Sequence, residues 1–189
     1  MKRLSALFLA LLLSGCSFSL PLTGDRDEVR YYVLTAPAPS GIEPAGGRLG
    51  VMPVSLPGYL SRPQLVVRED DGVNIAVSDF DRWGEELGRG VARVLCDTLS
   101  AEGISAVPLR TGVQVDAKLM LDIRRLDGSL DGDIVLDAVW TLQKGRNVYQ
   151  SGRVLEKLPA GKNLRSMVEV QSVLVQELAR KIRRAVKPL

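Results

Sequence analysis

Residues 113–124 alternate almost without fault. Val113, Val115, Ala117, Leu119, Leu121 and Ile123 are apolar; Gln114, Asp116, Lys118, Asp122 and Arg124 are polar, and Met120 is the one exception. Successive side chains of a strand point to opposite faces, so this run demands a sheet that is buried on one side and wet on the other. Residues 127–133 read as a solvated hairpin turn. Residues 134–142 return as a strand, apolar on both parities around Asp137 and Thr141, which predicts a central strand or cover on both faces. Residues 147–158 supply another strand candidate. Everything else in the chain has to be built around this sheet.

The remaining elements are less regular. Tyr31-Tyr32-Val33-Leu34 reads as a first strand and residues 48–55 as a second. Between them, residues 37–47 hold three prolines and three glycines and form a loop. Residues 64–68 and 73–77 flank Glu69-Asp70-Asp71-Gly72 as a β-hairpin. A long helix is expected over 79–102, capped by Ser78 or Asp79, with Trp83, Leu87, Val91, Val94, Leu95, Thr98 and Leu99 on its core face and Gly103 as its stop. A strand over 104–109 makes strand, helix, strand, which predicts a parallel crossover. Asn163 caps a final helix reaching about residue 186, whose inner stripe is Met167, Val170, Leu174, Leu178, Ile182 and Ala185. The fold class is α/β: a mixed β-sheet packed by two long helices.

Composition excludes several chemistries. The chain has no histidine, which removes Ser-His-Asp and Cys-His catalysis and His-ligated zinc. No phosphate-binding glycine loop and no paired carboxylates stand out. The run 127–133 has the oxygen donors and sixth-position glycine of a calcium loop, but Ala138 stands where the bidentate glutamate is required, so it reads as a turn. No catalytic residue, cofactor or metal site is expected. Cys96, on the predicted first helix, reads as a small buried residue.

Two stripes have two readings each. Gly84, Gly88, Ala92 and Cys96 recur every fourth residue, which serves either tight helix packing or a subunit contact. Arg180, Lys181, Arg183, Arg184 and Lys187 crowd the end of the last helix, where they complement its dipole or attract anionic lipid.

The amino terminus carries an address. Lys2 and Arg3 precede an apolar run over 4–13 that is too short to span a bilayer. The ending Leu13-Ser14-Gly15-Cys16 resembles the bacterial lipobox, which implies cleavage before Cys16 and acylation of that cysteine. The expected organisation is a signal peptide over 1–15, a lipidated tether over 16–30 and one globular domain over 31–189. Removing 15 of 189 residues leaves 174, and with Lys2 and Arg3 gone 23 cationic side chains face 22 anionic ones, a net of +1. A nucleic-acid partner is therefore not indicated.

Tyr31-Tyr32-Val33-Leu34, then the run Pro53-Val54-Ser55-Leu56-Pro57-Gly58-Tyr59-Leu60-Ser61-Arg62-Pro63, then Arg82-Trp83, resemble the ABC-type transport auxiliary lipoproteins. In the second half the match is one of layout. The resemblance implies an outer-membrane lipoprotein facing the periplasm, partnered with an MCE-domain protein of a lipid transport system and assembled as a homo-oligomeric ring. It also implies a fold similar to the N-terminal domain of the translocation protein of the Tol system. Ser17 after the cysteine favours outer-membrane sorting, and residues 17–30 reach at most about 50 Å. Tyr59, Leu60, Arg62 and Trp83 are the candidate docking residues, with core packing the alternative for Tyr59 and Trp83. Gly84, Gly88 and Ala92 are the candidate subunit contact.

Overall fold

A computed structural model describes residues 28–110 and 112–185. Cys16, the signal peptide, most of the tether and Lys187 lie outside the described residues.

Eight strands and two helices follow in the order β1 (Arg30–Tyr32), β2 (Ala45–Val51), β3 (Gln64–Arg68), β4 (Ile75–Trp83), α1 (Leu87–Ala101), β5 (Ile104–Pro108), β6 (Ala117–Gly128), β7 (Asp133–Lys144), β8 (Asn147–Pro159) and α2 (Leu164–Ala185). The strands form two sheets where the sequence suggested one. A three-stranded sheet has the order β1-β4-β3, and a five-stranded sheet the order β5-β2-β6-β7-β8. In the larger sheet β2 runs parallel to both β5 and β6, while β6, β7 and β8 are antiparallel neighbours. The sheet is therefore mixed, as expected.

From Ala117 onward the long hairpin behaves as its alternation requires; the strand expected from residue 113 starts four residues later, and Val113, ahead of it, is exposed. Leu119, Leu121 and Ile123 on β6, and Ile134, Leu136, Ala138, Trp140 and Leu142 on β7, are buried in the core. The helices cover this side: α1 lies against β5 and α2, and α2 against β7 and β8. The opposite parity of β7 is half-buried rather than covered, with Val135, Val139 and Thr141 partly open and Asp137 shielded by a two-pronged Arg153 pair at 2.8 Å. Gly152 sits across from Trp140, and a Cβ there would come within 2.9 Å of the indole. The missing side chain is the room the tryptophan occupies.

Three expectations are corrected. The first helix begins at Leu87, eight residues later than its periodicity suggested, and residues 79–83 belong to β4. Neither Ser78 nor Asp79 caps it. Ser78 Oγ instead donates to Asp81 at 2.8 Å, and Asp81 is held by Arg30 and Tyr32 of β1. That partner strand lies about fifty residues away, so no local pattern announces it. Gly84 also weakens helix formation just ahead of Leu87. Second, the strand before the helix does not pair with the strand after it: β4 belongs to the small sheet, and the parallel partner of β5 is β2. Third, β6 runs on to Gly128, so Asp127 is a buried strand residue and not part of a solvated turn. A bulge between Ile123 and Arg125 shifts the parity there.

Of the other elements, β2 begins at Ala45, inside the expected loop, and ends at Val51 rather than residue 55, and β1 ends at Tyr32, whereas the last helix and the stop of the first fall where their signals lie. Asn163 caps α2, its Oδ1 accepting from the Ser166 N–H at 2.9 Å. Gly103 ends α1 at φ +83°, a left-handed conformation that side chains resist. No described helix is long and apolar enough to cross a membrane.

Candidate functional site

The loop over 57–63 is a compact turn. The Leu60 and Ser61 N–H groups donate to the Pro57 carbonyl at 2.9 and 3.2 Å, and the Trp83 N–H donates to the Pro63 carbonyl at 2.7 Å. The structure places the four candidate docking residues in different environments. Leu60 is 4 % exposed and Trp83 8 %, so both belong to the core. Tyr59 is half-buried, and Arg62 stands exposed beside Pro63. Backbone pairing brings Trp83 and Pro63 together, but only Arg62 and the rim of Tyr59 are presented to a partner.

What fixes this loop is Asp127, which sequence reasoning placed in a turn. Tyr59 Oη donates to Asp127 Oδ2. Arg68 grips the same carboxylate with two prongs, Nε to Oδ1 at 3.0 Å and Nη2 to Oδ2 at 2.9 Å. Arg125 adds Nη2 to Oδ1 at 3.0 Å. The Arg68 guanidinium also lies 5.6 Å from the centre of the Tyr59 ring and donates to the Gly72 carbonyl at 3.0 Å. One fully buried carboxylate therefore joins the loop, the β3–β4 hairpin and β6, and with them the two sheets.

Burial alone would raise the Asp127 carboxyl, but its hydrogen bonds from Arg68, Tyr59 and Arg125 outweigh that and hold it below the usual carboxylate range. Burial, then the bond to Asp127, pushes the Tyr59 phenol up to about 12. Arg68 is raised chiefly by its hydrogen bond to Asp127. Asp127, Tyr59 and Arg68 are each pushed further into the charge state they ordinarily hold near neutral pH, so the cluster is a brace and not an acid/base couple. One signal for it exists in the sequence: Arg124-Arg125 puts two polar residues together inside an alternating strand, the mark of a bulge that turns Asp127 to a new face.

The small-residue stripe divides. Gly84 is off the helix, in the turn before it, which corrects its place in the stripe. Gly88 and Ala92 are on α1 and buried. A Cβ at Gly88 would meet the Val54 carbonyl at 3.4 Å and Leu56 Cδ1 at 3.6 Å, so the chain's own loop fills that space. The cations ending α2 are mostly paired within the chain: Arg180 with Glu177 at 2.6 Å, Lys181 with Glu156, and Arg184 with Glu177 at 3.8 Å. A cleft of about 860 Å³ opens where the carboxyl ends of β2 and β5 meet the start of α1, with Val54, Ala92 and Leu109 beside Glu85, Arg89 and Arg110. Among the described residues no group of acids and cysteines is placed to hold a metal ion.

The segment after β1 is clamped to both helices. Arg93 Nη2 donates to the Leu34 carbonyl at 2.8 Å, Ser172 Oγ accepts from the Thr35 N–H at 3.0 Å, and Gln176 Nε2 donates to the Thr35 carbonyl at 2.9 Å.

The described residues form a mixed α/β body of two sheets and two helices with a braced surface loop. The family profile described as "ABC-type transport auxiliary lipoprotein component" matches residues 32–183, and the chain belongs to that family. The family is one of transport auxiliary lipoproteins, not of enzymes. The fold is similar to a crystal structure of an uncharacterized protein, with a TM-score of 0.71 at 21 % identity over 85 % of this chain and 99 % of the other. It is also similar to protein XCC0632 from Xanthomonas campestris, with a TM-score of 0.68 at 13 % identity over 82 % and 92 %. A search of curated protein sequences returned no match.

Proposed function

We propose that this protein is a non-enzymatic outer-membrane lipoprotein that docks an MCE-domain protein of an inter-membrane lipid transport system. Acyl chains on Cys16 hold it at the periplasmic face; each buried methylene adds about 0.8 kcal/mol, so several chains retain it firmly. Several copies form a ring that receives the outer end of the MCE assembly. The same reading carries the expected kinship with the Tol translocation domain, which superposition of the five-stranded sheet checks.

The observation behind this reading is the loop over 57–63, which is held rigid by Asp127 while leaving Arg62 free at the surface. A pre-organised loop loses little freedom when a partner binds, and an arginine on such a loop is a common anchor. Arg62→Glu in the lipidated protein is expected to abolish capture of the MCE protein without changing the melting temperature. Undiminished capture would remove the loop from the interface. Mass spectrometry of the mature amino terminus tests the anchor separately: an unmodified Cys16 thiol sinks it.

Beside a general envelope scaffold without a transport role, a lipid carrier is the rival function. It needs an enclosed apolar cavity, and the cleft beside α1 mixes Leu109 and Val54 with Glu85, Arg89 and Arg110. Co-purification of lipid with the protein would favour that rival.

A further inference from the structure

One face of the small sheet is apolar where the chain enters the domain. Val29, Tyr31 and Val33 share a parity and are 38 %, 67 % and 50 % exposed. The parallel register sets Tyr31 beside Arg82, which continues to Val29 beside Phe80 and Val33 beside Gly84. Phe80 is 40 % exposed. Gly84 confirms the continuity, since a Cβ on it would lie 3.1 Å from Val33 Cγ1 and 3.9 Å from Tyr31 Cβ.

Charge is sorted between the two faces of this sheet. Arg82, half-buried, is on the apolar face, and its Nε is buried there without a hydrogen-bond partner among the described residues. The acids Glu28, Asp79 and Asp81 take the other parity, and Asp81 is consumed there by Arg30, Tyr32 and Ser78. Aromatic rings, aliphatic side chains and a cation, with the carboxylates turned away, are what the interface of an anionic leaflet accepts. The face of β8 that exposes Leu155 differs in carrying carboxylates: its flanking cations Arg153 and Lys157 pair with Asp137 and Asp133, and Asp137 lies opposite Leu155 in register.

We propose that the face formed by Val29, Tyr31, Val33, Phe80 and Arg82 rests on the lipid leaflet into which the protein is anchored. The proposal rests on acylation of Cys16. From Cys16 to Glu28 the chain spans at most about 40 Å, roughly the diameter of a domain of this size. It ends at this face, so the leaflet is the surface that this patch meets most often. Contact would orient the domain on the membrane, with β1 down.

The test uses the full-length acylated protein in vesicles of phosphatidylethanolamine with phosphatidylglycerol. Single cysteines carry an environment-sensitive fluorophore at Tyr31→Cys and Phe80→Cys, with Val148→Cys and Leu155→Cys as controls. Cys96 stays in place, since it is buried and unlabelled. Lipid-borne nitroxide is expected to quench the labels at 31 and 80 several-fold more than those at 148 and 155. Equal quenching at all four positions, in protein that floats with the vesicles, overturns the orientation but leaves the anchor intact. Protein that fails to float overturns the anchor and this proposal together. Labels at 31 and 80 that are shielded in detergent as protein concentration rises would assign the face to a second copy and overturn the proposal as well.

Discussion

Asp127 shows how much one side chain can decide. It is fully buried yet charged, because Arg68, Arg125 and Tyr59 meet both of its oxygens. Breaking a fully buried pair costs about 3–5 kcal/mol, and the low end applies to Asp127 because Arg68 and Arg125 keep 18 % and 38 % of their side chains in contact with water. Asp127→Asn is therefore expected to lower the urea midpoint by an amount equivalent to about 3 kcal/mol, and Tyr59→Phe by only about 1 kcal/mol. The pH dependence follows in sign. The folded carboxyls of Asp127, Asp81 and Asp137 lie below their unfolded values, so their contribution is complete above the unfolded value of about 4 and is lost as pH falls through the folded ones. Melting temperature should hold steady from neutrality down to about pH 5 and then drop. In Asp127→Asn the drop should be shallower. The sequence names all four residues but not their meeting, because Asp127 and Tyr59 are 68 positions apart and a bulge turns one toward the other.

At the scale of elements, long periodic segments declared themselves and short ones did not. The helix over 164–185 was legible from its cap and stripe, because both signals lie within one turn of each other. Asn163→Ala should cost about 1 kcal/mol, read from thermal melts. The β6–β7–β8 meander was legible from alternation, and its tightest contact is Trp140 against Gly152. Gly152→Ala is expected to destabilise by about 1–3 kcal/mol through overpacking, while Gly145→Ser, at an open turn, should act only through its positive φ. The start of α1 was misread, since residues 79–83 are stabilised by β1 and β3 rather than by their neighbours in sequence. The grouping of strands into two sheets had the same cause: pairing is a contact between distant segments, and pattern alone does not choose the partner.

On the scale of the molecule, the two sheets are joined through Asp127 of β6 and Arg68 of β3, while the Met52 and Ser55 N–H groups, donating to β6 carbonyls at 2.8 and 3.0 Å, extend the β2–β6 pairing within the larger sheet. The helices then clamp the segment leading in from β1. Such a body should open as one unit. Cys96 offers a direct readout: burial, with Asp97 nearby, pushes its thiol up to about 12, and it is 3 % exposed. Native protein is expected to resist thiol reagents, and labelling should appear only across the global urea transition. Early labelling would mean that α1 detaches before the rest.

By itself the sequence determined the kinds of element, the buried parity of the central hairpin, the absence of histidine-based chemistry and the family, since each is written in residue identity and local spacing. Tertiary structure alone decided which strands share a sheet, that Leu60 and Trp83 are core while Arg62 is free, and that a single carboxylate braces the loop. These depend on contacts between positions dozens of residues apart, whose free energy exists only once the chain has closed on itself.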